Sequence, residues 1–142
     1  MVMKIVLDTN VLYAALRSGT GASAGVLKSV VAGQIDLLLS VALAYEYTDV
    51  LLRDPRVFAR ESQDVHDLID FLIANSLRRN LPRRDERLAG DVDDERVAQL
   101  ALYGQSDHLV THNTRHFRPL IERGISVVTP AMLITMRKER YE

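Results

Sequence analysis

Cysteine is missing from the sequence, and no apolar run approaches the length of a membrane helix. Without cysteine the chain has no disulfide framework, no thiolate metal site and no catalytic thiol, a composition that suits a reducing cytoplasm. A membrane-spanning helix needs about 20 predominantly apolar residues. The apolar run at residues 1–7 is too short for the core of a signal peptide and is interrupted by Asp8. We therefore expect a cytoplasmic protein that does not enter a membrane.

An excess of charge of one sign is also missing. The 18 basic and 19 acidic residues give a net charge of -1, so bulk charge predicts no polyanionic partner. Lysine occurs only as Lys4, Lys28 and Lys138, and every other basic residue is arginine. Arginine presents a planar fork that suits phosphate groups, but a GC-rich genome would also favour arginine over lysine. The arginine content alone therefore does not decide between these explanations.

Short apolar runs alternate with amphipathic stretches along the chain. Strands are predicted, in chain order, at residues 3–7, 35–39, 77–81, 108–111 and 125–128, the third with the weakest signal. Helices are predicted at residues 11–17, 23–32, 41–52, 61–75, 92–103 and 118–122, and a last helix begins at Pro130. This alternation is typical of βαβ units. The 142 residues fit one α/β domain, residues 1–142, with a mainly parallel five-stranded sheet.

Polar residues stand where two of the predicted strands end. Asp8, Thr9 and Asn10 follow the first strand, and Thr111 and Asn113 stand at the end of the fourth. Open α/β sheets bind ligands outside the carboxyl ends of their strands. Asp8 and Asn113 could each be a turn residue, but their shared position favours a binding site.

Two further acidic features map to the same edge. One is the start of the helix before the fourth strand, with Asp91, Asp93, Asp94 and Glu95, and the other is Glu46 in a largely apolar helix. The first could be a helix cap that complements the helix dipole, and Glu46 could be a solvated surface charge. Carboxylates that converge would repel one another unless a cation neutralises them. A set of oxygen donors without sulfur is what Mg²⁺ or Mn²⁺ prefers, and such a site activates water for phosphodiester hydrolysis.

A resemblance to the PIN-domain nucleases runs through four segments, in the family's order and over nearly the full length. The family's first-strand motif is similar to VLDTNVLYAAL here, which implies that Asp8 is the first metal-binding acid. The stretch with the second acid resembles SVALAYEYTDVLLRDPRVF, which places that acid at Glu46. The third-acid segment resembles DVDDERVAQLAL, with the core acid at Asp94 and an accessory metal-binding acid at Asp91.

The fourth segment, SDHLVTHNTRHF, resembles the family's last motif and includes the Thr111 hydroxyl. Many members have aspartate where this chain has Asn113, which can ligate or orient water but carries no charge. The resemblance therefore implies a first metal ion and leaves the choice between one and two ions open. The tetrapeptide VTHN resembles members described as toxins of bacterial toxin–antitoxin pairs. The resemblance implies a three-layer α/β/α fold, an Mg²⁺- or Mn²⁺-dependent endoribonuclease, a small antitoxin partner and a homodimer. The implied catalytic residues are Asp8, Glu46, Asp94 and Asn113, supported by Thr9, Asn10 and Thr111.

Basic and aromatic residues near this edge have more than one interpretation. A dense basic stretch consists of Arg78, Arg79, Arg83, Arg84 and Arg87. It could contact an RNA backbone, with Arg83 and Arg84 as substrate-binding candidates, or it could be a solvated or antitoxin-docking surface. Arg115 and His116, just past the edge, are candidates for phosphate contact. Tyr13, Tyr45 and Tyr47 could stack on bases, although packing in the core or an interface is favoured.

Two other functions compete with a nuclease. Haloacid-dehalogenase-like phosphatases also place an acid after the first strand, but they need a second aspartate where this chain has Asn10, and a lysine near the phosphate. Lys28 lies too early for that role and Lys138 too late. The second alternative is a PIN-like domain that binds RNA or protein with weak or no catalysis, and the neutral Asn113 keeps it open. A zinc site at His108, His112 and His116 is disfavoured, because a strand would hold the first two about 13 Å apart.

Overall fold

The computed structural model describes residues 2–53, 62–82 and 84–141, with side chains as far as residue 139. Its central element is a five-stranded sheet in which every neighbouring pair of strands is parallel. The strands are β1 Lys4–Leu7, β2 Asp36–Leu39, β3 Leu77–Arg78, β4 His108–Val110 and β5 Val127–Val128. Their order in the sheet is β3-β2-β1-β4-β5. The prediction of a parallel five-stranded sheet is therefore confirmed.

Helices connect the strands and cover the sheet on both faces. They are α1 Thr9–Ser18, α2 Gly21–Val31, α3 Val41–Arg53, α4 Ser62–Asn75, α5 Val92–Tyr103, α6 Arg118–Glu122 and α7 Pro130–Tyr141, and a 3₁₀ turn spans Thr114–Phe117. Successive side chains of a strand point to opposite faces, yet Ile5, Val6 and Leu7 of β1 are all fully buried. The sheet is therefore buried on both faces, as parallel sheets are, in a three-layer α/β/α arrangement.

Two predicted local signals are confirmed. The Ser40 side chain accepts a hydrogen bond from the Leu43 N–H at 3.2 Å and so caps α3. Gly33, two residues past α2, has φ 78°, which is the left-handed conformation that glycine adopts most readily after a helix. The predicted stop of α3 at residues 54–55 and the predicted start of α4 at residue 61 lie outside the described residues.

Several predicted boundaries differ from the structure: α2 begins at residue 21 instead of 23, and β5 covers only residues 127–128 of the predicted 125–128. Two further differences have a cause in the backbone contacts. The first helix begins at Thr9 instead of Val11, because Asp8 has an extended backbone (φ -63°, ψ 144°) and its carbonyl accepts the Val11 N–H at 3.0 Å. Thr9 and Asn10 therefore lie on the first helical turn. The third strand is shorter than predicted. Its partner β2 ends at Leu39, whose carbonyl accepts the Arg79 N–H, so residues beyond Arg79 have no strand to pair with.

Among the described residues, no helix is long and apolar enough to cross a membrane.

Candidate active site

Asp8 lies between the carboxyl ends of the two central strands. Its backbone N–H donates to the Val110 carbonyl at 2.9 Å, and its side chain is only 6% exposed. The buried Thr111 hydroxyl donates to Asp8 Oδ2 at 2.7 Å. Burial raises the pKa of Asp8 from 3.8 to about 6; the negative charges of Asp94 and Glu46 also raise it, and hydrogen bonds from Thr111 and Thr9 oppose the rise. These four residues therefore surround one buried carboxyl group.

Glu46 lies on α3, and its charge acts on this carboxyl group. It is half-buried, and the Thr9 hydroxyl donates to Glu46 Oε2. The next residue, Tyr47, is fully buried, and its hydroxyl donates to the Leu7 carbonyl at 2.5 Å. Since Leu7 directly precedes Asp8, Tyr47 fixes α3 against the end of β1 and positions Glu46. Sequence reasoning assigned Tyr47 to packing, which its burial confirms, but missed this hydrogen bond.

The acidic residues at the start of α5 have different local roles. Asp91 Oδ1 accepts the Asp93 N–H at 3.0 Å, so Asp91 is the helix cap. Glu95 accepts the backbone N–H groups of Leu88 and Ala89 at 3.0 and 2.9 Å and so holds the preceding loop. The helix cap that the sequence allowed for this segment is thus formed by Asp91, whereas the Glu95 contacts were not foreseen.

Asp94 is the acid of this segment whose charge acts on Asp8, and it is half-buried. Burial raises its pKa, and the charges of Asp91 and Asp93 add to that effect while His116 opposes it. The Nδ1 atom of His116 lies 3.4 Å from Asp94 Oδ2. Sequence reasoning proposed His116 for phosphate contact, whereas the structure brings its ring to Asp94.

The loop after β4 is held by Thr111 and Asn10. The Asn113 N–H donates to the Thr111 hydroxyl at 3.1 Å, and the Asn10 side chain accepts the His112 N–H at 3.4 Å. The Asn113 side chain is exposed and makes no capping hydrogen bond to the 3₁₀ turn that follows it. Asn10 and Thr111, predicted to support the site, therefore make hydrogen bonds that hold the loop after β4. Asn113 lies at the surface of the protein.

The three histidines of this region contact three different partners. His108 shares a hydrogen bond of 2.7 Å with the Ser126 hydroxyl, and His112 shares one of 2.9 Å with the Ser23 hydroxyl. His116 faces Asp94.

The predicted substrate-binding arginines that the structure describes are Arg84 and Arg115. The Arg84 guanidinium lies 4.0 Å from the centre of the Tyr103 ring, while Arg115 is exposed. Arg79, from the same basic stretch as Arg84, donates to the Gly104 carbonyl at 3.0 Å. Arg83 lies outside the described residues.

The donor chemistry of this edge fits a hard divalent cation. Asp8, Glu46 and Asp94 offer carboxylate oxygens, and the charges of Asp94 and Glu46 add to the effect of burial in raising the pKa of Asp8. Among the described residues, no three acidic or histidine side chains converge closely enough to enclose a metal ion by themselves. Mg²⁺ does not require such a cage, because it commonly keeps several waters and binds through one or two carboxylates together with substrate phosphates.

Comparison with known proteins agrees with this arrangement. The family model of the PIN domain matches residues 4–115, which is more than half of the chain and includes Asp8, Glu46, Asp94 and Asn113. The chain therefore belongs to the PIN-domain family. PIN domains are generally nucleases, and these nucleases generally use divalent metal ions. No curated protein matches the sequence at a significant level.

Proposed function

We propose that this PIN-domain protein is an Mg²⁺- or Mn²⁺-dependent endoribonuclease that hydrolyses RNA phosphodiester bonds. We further propose that it is the toxin of a type II toxin–antitoxin pair, acts in the cytoplasm as a homodimer, and is blocked by a small antitoxin protein. Family membership supports the nuclease activity. The toxin role rests on the likeness of the VTHN segment to the toxin members.

The observation that carries the nuclease proposal is the buried Asp8 carboxyl group beside two other acids. A carboxylate with a pKa raised to about 6 by burial and by the charges of Asp94 and Glu46 is costly for the folded protein, because desolvation and like charges both disfavour ionisation. Perturbed carboxyl groups of this kind are typical of functional sites. A bound divalent cation would offset both effects.

The residues that would hold the metal are Asp8, Asp94 and Glu46, with Asp91 as an accessory acid. When bound, the metal lowers the pKa of water and neutralises charge on the phosphate. Thr111 keeps Asp8 in place, Thr9 does the same for Glu46, and Asn113 can orient water at the surface of the site. No residue of the chain forms a covalent bond to the substrate in this mechanism.

A second candidate function is a PIN-like module that binds RNA or protein without cleaving it. The exposed, uncharged Asn113 favours it, because many members of the family have aspartate there. The two functions differ in whether the acidic edge binds metal ions and cleaves RNA.

Cleavage of a mixed, structured RNA by the purified protein tests the proposal, in Mn²⁺, in Mg²⁺ and in chelator. We expect cleavage that requires the metal and disappears in Asp8→Asn. The exposed Asp85 provides the matched control, and Asp85→Asn should cleave like the wild type. Cleavage that persists in chelator or in Asp8→Asn would contradict the assigned site.

Metal binding has its own readout in the same samples. A ligand that binds only the folded state stabilises it by about 2.7 kcal/mol at about 100 times its Kd, so Mn²⁺ should raise the melting temperature of the wild type and not of Asp8→Asn. A protein that neither cleaves RNA nor responds to Mn²⁺ would instead be the binding module. The toxin role predicts that expression of the wild type arrests bacterial growth, whereas Asp8→Asn does not.

A further inference from the structure

An open groove surrounds Tyr45 beside the candidate active site. Two cavities of about 500 and 660 Å³ adjoin there, and both are lined by Ser40, Val41, Tyr45, Arg79 and Asn80. We call this combined space the Tyr45 groove. Ser40 follows β2 and Arg79 follows β3, so the groove lies at the carboxyl edge of the sheet, where α/β proteins bind ligands. The volume of each of the two cavities is in the range of ligand-binding clefts.

The groove contains a flat aromatic ring that the fold leaves open. Tyr45 is 73% exposed and Val41, one helical turn before it on α3, is 70% exposed. Single exposed apolar side chains are common on protein surfaces, but here the two border the same groove. Tyr47, two residues further along α3, is fully buried. Tyr47 is therefore part of the core, whereas the ring of Tyr45 is exposed and can contact a ligand.

Positive charge predominates around this ring. Arg78, Arg79 and Arg96 line the groove, and among the described lining residues Asp70 is the one that carries a carboxylate. The Arg79 guanidinium is fixed in place because its Nε donates to the Gly104 carbonyl at 3.0 Å, and Arg96 projects as an exposed side chain from α5. A ring between arginines suits a ligand that carries both flat bases and phosphates.

The groove adjoins the acidic residues along the sequence of two helices, although Asp8, Glu46 and Asp94 do not line either cavity. Tyr45 immediately precedes Glu46 on α3, and Arg96 follows Asp94 by two residues on α5. We propose that the Tyr45 groove binds a single-stranded segment of RNA next to the phosphodiester at the acidic site, with a base stacked on Tyr45 and phosphates at Arg79 and Arg96. The inference rests on the proposed function, because it takes RNA as the substrate.

Charge favours RNA over a protein partner in this groove. An apolar protein segment would cover Val41 and Tyr45, but it would also have to desolvate the arginines beside them, which is unfavourable without paired acids. Single-stranded RNA offers phosphates to the arginines and an unstacked base to the ring. A duplex keeps its bases stacked inside, so the groove should distinguish single strands from double strands.

Equilibrium binding of RNA tests the inference without any need for cleavage. The probe is a fluorescein-labelled single-stranded RNA of about eight nucleotides, titrated with protein in Mg²⁺ and followed by anisotropy. All variants carry Asp8→Asn, which keeps the probe intact. The added substitutions are Tyr45→Ala, Tyr45→Phe and Arg96→Ala. The control is Arg123→Ala, which removes an exposed charge at the opposite edge of the sheet, before β5.

We expect Tyr45→Ala to weaken binding between about 5-fold and about 150-fold, the range for loss of one base–aromatic stack. Tyr45→Phe keeps the ring and should stay within about twofold of the parent. Arg96→Ala should weaken binding and lower the salt dependence by about 0.7, the value for one phosphate contact on a single strand. Arg123→Ala should bind like the parent, and a duplex of the same sequence should bind more weakly.

Unchanged affinity in Tyr45→Ala would overturn the inference, and so would equal losses in Tyr45→Ala and Tyr45→Phe or equal binding of the duplex. If Tyr45→Ala instead abolishes self-association in sedimentation, the groove is an interface between copies of the chain, which also overturns it. Failure here is separable from failure of the proposed function. Metal-dependent cleavage with no role for Tyr45 refutes only the groove, whereas a wild type that neither binds nor cleaves RNA refutes both.

Discussion

Replacement of Asp8 by asparagine should stabilise the folded protein while removing its activity. Burial, with two nearby acids, raises the pKa of Asp8 from 3.8 to about 6. At about 1.4 kcal/mol per pH unit, the ionised carboxylate costs the folded state up to about 3 kcal/mol. Asparagine has the same shape and can accept the Thr111 hydrogen bond, but its NH₂ group needs an acceptor of its own. We therefore expect a gain in the free energy of unfolding between about 1 and 3 kcal/mol at neutral pH.

The gain should depend on pH with a definite sign. Because the pKa of Asp8 is higher in the folded state than in the unfolded chain, the folded wild type binds the proton more tightly. This contribution to wild-type stability is complete below about pH 4 and is lost as the pH rises through about 6. The advantage of Asp8→Asn over the wild type should thus be small at about pH 4.5 and full at about pH 7.5.

Urea unfolding followed by circular dichroism, in chelator and at both pH values, measures this difference. A melting temperature should move by about 3 °C for each kcal/mol in a chain of this size. Asp85→Asn, at an exposed position, should change the free energy of unfolding by less than about 0.5 kcal/mol. If Asp8→Asn is destabilised at neutral pH, or if its advantage is the same at both pH values, the assignment of a strained, ionised Asp8 is wrong.

Two further predictions concern the residues that position the acids. Tyr47→Phe leaves the buried Leu7 carbonyl without its hydroxyl donor and should lower the free energy of unfolding by about 1–3 kcal/mol. Tyr45→Phe, at an exposed ring, is the control and should change the free energy of unfolding little. Equal losses in the two variants would refute the role of the buried hydroxyl. Thr111→Val removes a hydrogen bond that lowers the pKa of Asp8, so the acid limb of the pH–rate profile should move to higher pH. Thr111→Ser keeps the hydroxyl and should return the acid limb to its wild-type pH. An acid limb that does not move in Thr111→Val would contradict the effect of Thr111 on the pKa of Asp8.

The sheet and most of the helices could be predicted from local patterns. The run before Asp8 is apolar at successive positions, which is typical of a strand buried on both faces, and glycine and serine signals mark helix ends. The rule that parallel strands present their carboxyl ends at one edge then brings Asp8 and Thr111 together without any knowledge of contacts. Predicted boundaries were wrong where tertiary pairing decides them, as at β3, which ends with its partner strand.

Contacts between distant side chains could not be predicted in the same way. Thr9 and Glu46 are 37 residues apart, and Ser23 and His112 are 89 residues apart. The periodicity of the sequence does not predict such pairs, because they depend on how α2 and α3 pack against the sheet. The spacing of Leu43, Tyr47 and Leu51 does predict a buried stripe on α3, but not that the hydroxyl in this stripe reaches the end of β1.

Asp8 and Glu46 each accept a hydrogen bond from an uncharged hydroxyl group, and this explains why the carboxyl edge of the sheet can bind a cation from solution. Asp8 and Glu46 are held by hydroxyl groups of Thr111 and Thr9, which fix the carboxyl groups without neutralising them. An arginine in either place would lower the pKa of its partner and satisfy its charge within the chain. Here the pKa of Asp8 is raised instead, so negative charge remains to be neutralised at the end of β1. A divalent cation together with an RNA phosphate can supply that neutralisation. Arg78 in β3, Arg79 just after it and Arg96 on α5 line the Tyr45 groove, where they can hold the neighbouring phosphates.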